Sequence, residues 1–337
     1  MKIWLIACLA VLLCSFVATW ALRRYALATK LIDVPNARSS HTIPTPRGGG
    51  VAIVVVFLLG LTWATASGSI AANWGWALIG AGAFVALLGF LDDHGHIAAR
   101  WRLLGHFSAA IWVLLWVGGF PAVELFGQSY QLGWIGHLFA VLYLVWMLNL
   151  YNFMDGIDGI ASVEAIGVCG GGALIYWLTG HPDLAGTTLL LAFAVAGFLV
   201  WNFPPAKIFM GDAGSGFLGV TIAALSIQAA WALPALFWSW LILLGVFVVD
   251  ATYTLIRRMA RGEKVYEAHR SHGYQFASRH HGRHLPVTLG VLVINTAWLL
   301  PLAIAVALGW IPGLVGTLIA YIPLCLLAVR YKAGTLE

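Results

Sequence analysis

About eleven stretches of this chain are apolar for some 20 residues at a time, near 3–22, 48–68, 72–91, 103–120, 134–151, 160–179, 185–203, 214–232, 234–256, 287–306 and 311–330. A helix rises about 1.5 Å per residue, so about 20 apolar residues cover the hydrocarbon thickness of a bilayer. Hydrocarbon offers the backbone no hydrogen-bonding partner, which leaves helices or closed barrels as spanning structures. Strand-like alternation of apolar and polar residues is absent, which argues against a barrel. The expected fold is therefore all-α: a polytopic integral membrane protein of about eleven transmembrane helices, forming one membrane domain over 1–337. Only 9% of residues are charged, against about 25% in soluble domains.

Lys and Arg set the orientation. With eleven spans, one side collects Arg23, Arg24, Lys30, Arg38, Arg47, Arg100, Arg102, Lys207, the cluster from Arg257 to Arg283, Arg330 and Lys332, and the other side holds only Lys2. This predicts an outside N-terminus, a cytoplasmic C-terminus and cytoplasmic loops near 23–47, 92–102, 152–159, 204–215 and 257–286. The net charge of +5 is then local to one face. Such a face suits anionic lipid heads and diphosphates, whereas no soluble basic domain is present to bind nucleic acid. Arg23 and Arg24 follow the first apolar run directly and would resist translocation, so that run reads as an uncleaved anchor despite the Ala26-Leu27-Ala28 cleavage pattern. Cys8, Cys14, Cys169 and Cys325 fall in apolar runs without metal or disulfide spacing and read as packing residues.

Five aspartates stand at the ends of these runs, all on the basic side: Asp92 and Asp93, Asp155 and Asp158, and Asp212. A carboxylate near hydrocarbon is costly, by about 2.5–3.5 kcal/mol at a helix centre, and five on one face call for a cation. Asp92 and Asp93 are helix neighbours about 100° apart, so one can face a site while the other holds a basic partner. Asn149, Asn152, Asp155 and Asp158 recur every three residues and form one polar edge if helical; a polar packing seam is the plainer reading of that edge. Gly156 and Gly159 let phosphate oxygens or a neighbouring backbone come close. Met210-Gly-Asp-Ala-Gly-Ser215 opens a span: a Gly-rich helix start suits phosphate, and Asp212 there can hold a bridging magnesium or simply cap the helix.

The loop Asp33-Val-Pro-Asn-Ala-Arg-Ser-Ser-His41, followed by Pro44-Thr-Pro-Arg-Gly-Gly-Gly50, is rigid and basic. Arg38, His41 and Arg47 can grip phosphates, although the same charges serve topology alone. The loop 257–286 contains His269-Arg270-Ser271-His272, with His280, His281 and His284 beyond. Without cysteines or a protease H-E-x-x-H, zinc is the weaker reading, and His269, Arg270 and His272 facing a diphosphate fit better. His106, His137 and His181 read as structural. Glu164 and Asp250 lie within or near spans; Asp250 either pairs with a cation or lines the same cavity, and both readings stay open. Gly214-Ser-Gly-Phe-Leu-Gly219 matches a dinucleotide pattern but follows no strand. Close helix packing accounts for it better.

Three other functional classes fit less well. A transporter would place its charges near the bilayer midplane. An intramembrane aspartyl protease would need a glycine that Met210-Gly-Asp212 lacks. A CDP-alcohol phosphotransferase would need an arginine that Asp158-Gly-Ile-Ala-Ser162 lacks.

From Asp33 to Gln275 the chain resembles the polyprenyl-phosphate N-acetylhexosamine-1-phosphate transferases, glycosyltransferase family 4. The motifs are Asp-x-Pro-Asn-x-Arg-x-x-His at 33–41, Asp-Asp at 92–93, Asn-x-x-Asp-Gly-x-Asp-Gly at 152–159, Gly-Asp-x-Gly-Ser at 211–215 and the His-containing loop at 269–275. Each is weak alone; all five in order, each on the same side, are specific. The resemblance implies transfer of a sugar-1-phosphate from a UDP-N-acetylhexosamine to undecaprenyl phosphate at the cytoplasmic face of the bacterial inner membrane, releasing UMP. It implies magnesium, or manganese in its place, held by Asp212 and Asp155, with Asp92, Asp93, Asp155 and Asp158 as catalytic candidates. A homodimer is compatible with it. The peptidoglycan branch carries a His-His-His run where this chain has His269-Arg-Ser-His272, so the loop looks more like those of O-antigen initiating enzymes, which implies an N-acetylated hexosamine, 6-deoxy sugars included, as donor.

Overall fold

The computed structural model describes residues 2–35, 40–95, 97–264 and 269–335. Each predicted apolar run is helical. The helices are α1 (Lys2–Ala28), α2 (Gly50–Ala66), α3 (Ala72–Gly95), α4 (Ala99–Val117), α5 (Gly133–Met154), α6 (Ile160–Leu178), α7 (Pro182–Asn202), α8 (Asp212–Ala232), α9 (Ala235–Leu243), α10 (Gly245–Ala260), α11 (Gly273–His281), α12 (Leu285–Ile294), α13 (Leu300–Ala307) and α14 (Gly313–Arg330). By length and composition, eight helical stretches among the described residues can each cross a membrane, and nine if α9 and α10 form one broken span. The protein is thus a multi-pass membrane protein. The apolar run at 234–256 is not one straight rod: α9 and α10 meet at 74°. The run at 287–306 is continuous but contains a π-helical turn over Asn295–Leu299. Pro301 has no N–H to return to the preceding turn, and such a gap is absorbed by a widened helical register.

The bundle is organised around α8, which is buried from Ala213 to Ala230 and packs on α2, α3, α5 and α9. Its small residues permit this. A side-chain carbon on Gly214 would lie 2.7 Å from the Cα of Gly50, and one on Gly89 would lie 2.6 Å from the backbone of Asp212 and Ala213. These two close approaches bring the start of α2 and the end of α3 onto the N-terminus of α8. That is where Asp212 sits.

Two short hairpins complete the chain: β1 (Ile32–Asp33) with β2 (Thr45–Pro46), and β3 (Val123–Leu125) with β4 (Gln128–Tyr130). The first returns the basic loop to the aspartate end. Backbone bonds then tie the 46–50 segment to 209–210: Phe209 N–H donates to Pro46 O at 2.8 Å, Gly49 N–H to Phe209 O at 2.9 Å and Gly50 N–H to Met210 O at 2.9 Å.

Candidate active site

Four of the five aspartates line one cavity of ≈ 590 Å³: Asp93, Asp155, Asp158 and Asp212, with His41, Arg47 and Asn152. They arrive from separate elements. Asp93 lies in the last turn of α3 and Asp212 in the first turn of α8. Asp155 caps α5, and Asp158 lies in the turn before α6.

The adjacent pair divides as its helical angle requires. Asp93 turns inward and accepts from the N–H of Ala213 at 3.5 Å, while its carbonyl accepts from the Arg47 guanidinium. Asp92 instead pairs with Arg102 and accepts the Ile97 N–H at 2.6 Å. The guanidinium of Arg102 also stands 3.8 Å from Asp212. Asn152 donates to Asp212 Oδ1 at 2.9 Å and to Ser215 Oγ at 2.9 Å, which fixes Asp212 in one orientation.

Asp155 and Asp158 differ sharply. No protein donor among the described hydrogen bonds reaches Asp155. Burial, then the charges of Asp212, Asp158 and Asp93, push its carboxyl well above the usual carboxylate range. Asp158 is fully engaged: Ala206 N–H donates to its Oδ2 at 3.0 Å, and its Oδ1 lies 3.0 Å from His284 Nδ1. Thr288 Oγ1 donates to its carbonyl at 2.8 Å. The next residue, Gly159, has a left-handed backbone at φ +72°, a conformation glycine adopts without strain. Its N–H reaches Asn202 Oδ1 at 3.0 Å, and the Asn202 amide reaches Ile208 O at 3.0 Å. His284 completes this lock. Its Nε2 lies 3.0 Å from the carbonyl of Ser40, which can only accept, so Nε2 carries a proton. Nδ1 then accepts from the Asp158 N–H when neutral or donates to the Asp158 carboxylate when charged. Burial opposes that charge, but the bond to Asp158 and its field outweigh burial and raise the histidine's pKa.

A smaller crevice of ≈ 160 Å³ reaches the same centre from the bundle's flank. Its walls include Val85, Leu88, Leu103 and Phe153, and its head holds Asp92, Arg102, Asn149 and Asn152, with Asp212. Asn149 therefore does not line the main cavity; its amide donates to Val145 O at 2.7 Å and reaches His106 Nδ1 at 3.2 Å. Asn152 and Asp212 line both spaces.

The remaining expected residues lie elsewhere. Arg38 falls outside the described residues. His269, Arg270 and His272 line neither space. His272 stands at the N-cap of α11, 3.3 Å from Asp250 Oδ1, and Asp250 also accepts the N–H groups of Gly273 and Tyr274 at 2.9 and 2.8 Å. Asp250 thus anchors the start of α11 and lines neither space. His269 stacks on His272 at 4.8 Å; burial, then the charges of His272 and Arg258, push its pKa down to about 3. Gln275 and His284 are the parts of this loop that line the main cavity. Neither they nor Asn202, Arg102 and His106 stood out in sequence. Only Asn202, two residues before Pro204-Pro205, carried a local sign, a polar residue closing a span.

Comparison with known proteins now adds to this geometry. Residues 75–230 match glycosyl transferase family 4. A Bacillus subtilis protein described as a probable undecaprenyl-phosphate N-acetylglucosaminyl 1-phosphate transferase is 32% identical, over 79% of this chain and 75% of its own length. The chain belongs to glycosyl transferase family 4. Other relatives of this family 4 chain include a decaprenyl-phosphate N-acetylglucosaminephosphotransferase of Mycobacterium tuberculosis, 29% identical over 77% of this chain and 71% of its own. A phospho-N-acetylmuramoyl-pentapeptide-transferase of Geobacillus thermodenitrificans is 30% identical over 63% and 68%. The family 4 chain is accordingly a membrane phosphoglycosyltransferase.

Proposed function

We propose that this enzyme transfers an N-acetylhexosamine-1-phosphate from a UDP-sugar to undecaprenyl phosphate, releasing UMP, at the cytoplasmic face of the bacterial inner membrane. One observation carries the reading. A polar cavity and an apolar-walled crevice meet at Asn152 and Asp212. A water-soluble diphosphate donor suits the first, and a lipid phosphate suits the second. The basic loops around the site support that face.

In the reaction, an oxygen of the lipid phosphate attacks the sugar-bearing phosphorus of the donor. A new phosphorus–oxygen bond forms, the diphosphate bond to UMP breaks, and UMP departs with the electron pair. A phosphate monoester is already ionised near neutral pH, so direct attack needs no covalent enzyme intermediate. The task left to the protein is to position two polyanions and offset their repulsion. Arg102, held by Asp92, stands at the crevice head beside Asp212 and would receive the lipid phosphate. Arg47, held on the Asp93 carbonyl, lines the cavity and would meet the diphosphate. Asn152 keeps Asp212 oriented between them.

The residues present fit a magnesium ion, and manganese can replace it. Asp93, Asp155, Asp158 and Asp212 line one cavity while Arg47 and Arg102 are bonded to the α3 terminus. Burial and the neighbouring carboxylates disfavour Asp155 as an anion, so a cation held among them would be favoured electrostatically. Among the described residues, no three His, Cys, Asp or Glu side chains are gathered to ligate one ion by themselves. Magnesium commonly takes one or two carboxylates and fills its shell with water and substrate phosphate; Asp212 and Asp155 are the ligands we assign. When bound, the ion would neutralise charge developing on the transferred phosphoryl group.

The donor is an N-acetylhexosamine, and the product begins a surface glycan such as O-antigen. The loop sequence His269-Arg-Ser-His272, which departs from the His-His-His of the peptidoglycan branch, supports this over a muramoyl-peptide donor. Purified protein should release UMP when given undecaprenyl phosphate, magnesium and one of a panel of UDP-N-acetylhexosamines, 6-deoxy sugars included. Turnover of UDP-N-acetylmuramoyl-pentapeptide alone would overturn the donor assignment, and no UMP from any of them would overturn the function.

A further inference from the structure

On the aspartate side of the molecule lie two adjoining spaces that the proposed reaction leaves unused. An apolar groove of ≈ 210 Å³ runs among α10, α12 and α14, beneath α11; Val246, Val249, Val291, Leu324 and Leu327 are among its walls. Beside it, an open cavity of ≈ 460 Å³ is lined by Phe276, Arg279, His280, Arg330, Tyr331 and Lys332. Tyr331 lines both, and neither shares a residue with the aspartate cavity or its crevice.

We infer that the two spaces together bind an anionic phospholipid of the leaflet on the aspartate side, an acyl chain in the groove and its phosphate against Arg330 and Lys332. The shape is that of an amphiphile, a mainly apolar slot, with Asp250 and His281 also in its lining, and a cationic, aromatic mouth. The six lining residues of the mouth include three Lys or Arg and no acid. Arg offers phosphate a planar fork, basic residues at this depth attract anionic lipid heads, and tyrosine settles at the membrane–water boundary. Topology alone would account for Arg330 and Lys332 at the end of α14. It does not account for a groove leading inward from them.

The site also has a reason to matter. Its roof is α11, which carries Gln275 into the aspartate cavity, and its lining includes Tyr274, whose hydroxyl donates to Phe153 O at 2.9 Å. A lipid bridging α11 and α14 would hold that wall in place.

The test is a native mass-spectrometric titration of the full-length purified protein with phosphatidylglycerol and with phosphatidylcholine of the same chains. Phosphatidylglycerol should bind at least about fivefold more tightly, the scale of one surface charge. Arg330→Gln with Lys332→Gln should bring it down to the phosphatidylcholine level. Gly290→Leu should weaken both lipids alike, because Gly290 lines the groove and a side chain there meets nothing within 4 Å. Hydrogen exchange across 273–281 should slow on adding phosphatidylglycerol to the wild type only. Lys332→Gln alone serves if the double variant does not fold. Equal binding of the two lipids, or variants that bind like the wild type, would sink the assignment. So would displacement of phosphatidylglycerol by millimolar inorganic phosphate, which would reduce the mouth to a general anion site.

Discussion

The turn at 152–159 and the loop at 257–286 are both rich in residues that do chemistry, yet they use them in opposite ways. In the turn, side chains point into shared space: Asp155, Asp158 and Asn152 line the cavity with Asp93 and Asp212. In the loop, they are largely spent on one another: Asp250 takes His272 and the first N–H groups of α11, and His269 stacks on His272. The difference lies in what positions each. The turn joins two spans, so the packing of α5, α6 and α8 aims its residues. The loop lies outside the bundle and must first bind itself down.

The sharpest way to break this contrast is Asp212→Asn, which keeps size and removes the charge. Transfer should fall by about 10²–10³, the scale of several kcal/mol of transition-state stabilisation. Asp155→Asn should fall into the same range. UMP release within a few-fold of wild type, with unchanged magnesium dependence, would falsify the assignment of the cavity as the reaction centre.

His284 comes next, because it is the loop residue that behaves like the turn. His284→Ala should cost about 1.5–3 kcal/mol, the range for a hydrogen bond to a charged group, read as a lower melting temperature. Turnover should drop by about 10- to 100-fold if Asp158 loses its place. Its folded-state pKa is raised, so the stabilisation is fully present below the ordinary histidine value and is lost as pH rises through the raised one. Wild type should lose stability in that alkaline step and His284→Ala should not. An identical pH profile for both would place the lock elsewhere.

His272→Ala should do less. Asp250 keeps the N–H groups of Gly273 and Tyr274, so the expected loss is that of one helix cap, about 0.5–2 kcal/mol. The ranking of UDP-sugars should stay as in wild type. A changed ranking with an unchanged melting temperature would mean that the loop reads the donor directly.

Much of this was legible in sequence, for identifiable reasons. Apolar length alone marks helices, and all eleven predicted runs are helical. Asp92 and Asp93 had to diverge on a helix, and they do. Asp155 and Asp158 were not as readable. The notion of one continuous polar edge from Asn149 fails, because α5 ends at Met154 and Asn149 turns toward His106. His284 and Arg102 carry no local signature, and Asn202 only that of a polar residue closing a span; their importance comes from partners 126, 10 and 43 residues away in the chain. The bend at 244 also escaped the reading of 234–256 as one run, although α10 carries Asp250, Arg257 and Arg258 where α9 is wholly apolar but for Ser239.

The smallest effect expected is at His269, and it is visible only in acid. With its pKa pushed down to about 3, His269 is neutral in the folded protein at any working pH. The unfolded chain takes up a proton near the ordinary value, about 6.5. A base with a lowered folded pKa therefore favours the native state fully above about pH 6.5 and loses that contribution as pH falls toward about 3, at up to about 1.4 kcal/mol per pH unit. His269→Ala removes this one proton from the balance. At pH 7.5 its transfer rate should match wild type within about twofold, and between pH 6.5 and 4 its melting temperature should fall less steeply. If the variant instead loses transfer at pH 7.5 while its acid slope equals that of wild type, His269 works on the substrate and not within its own loop. The contrast between turn and loop would then have to be withdrawn for that residue.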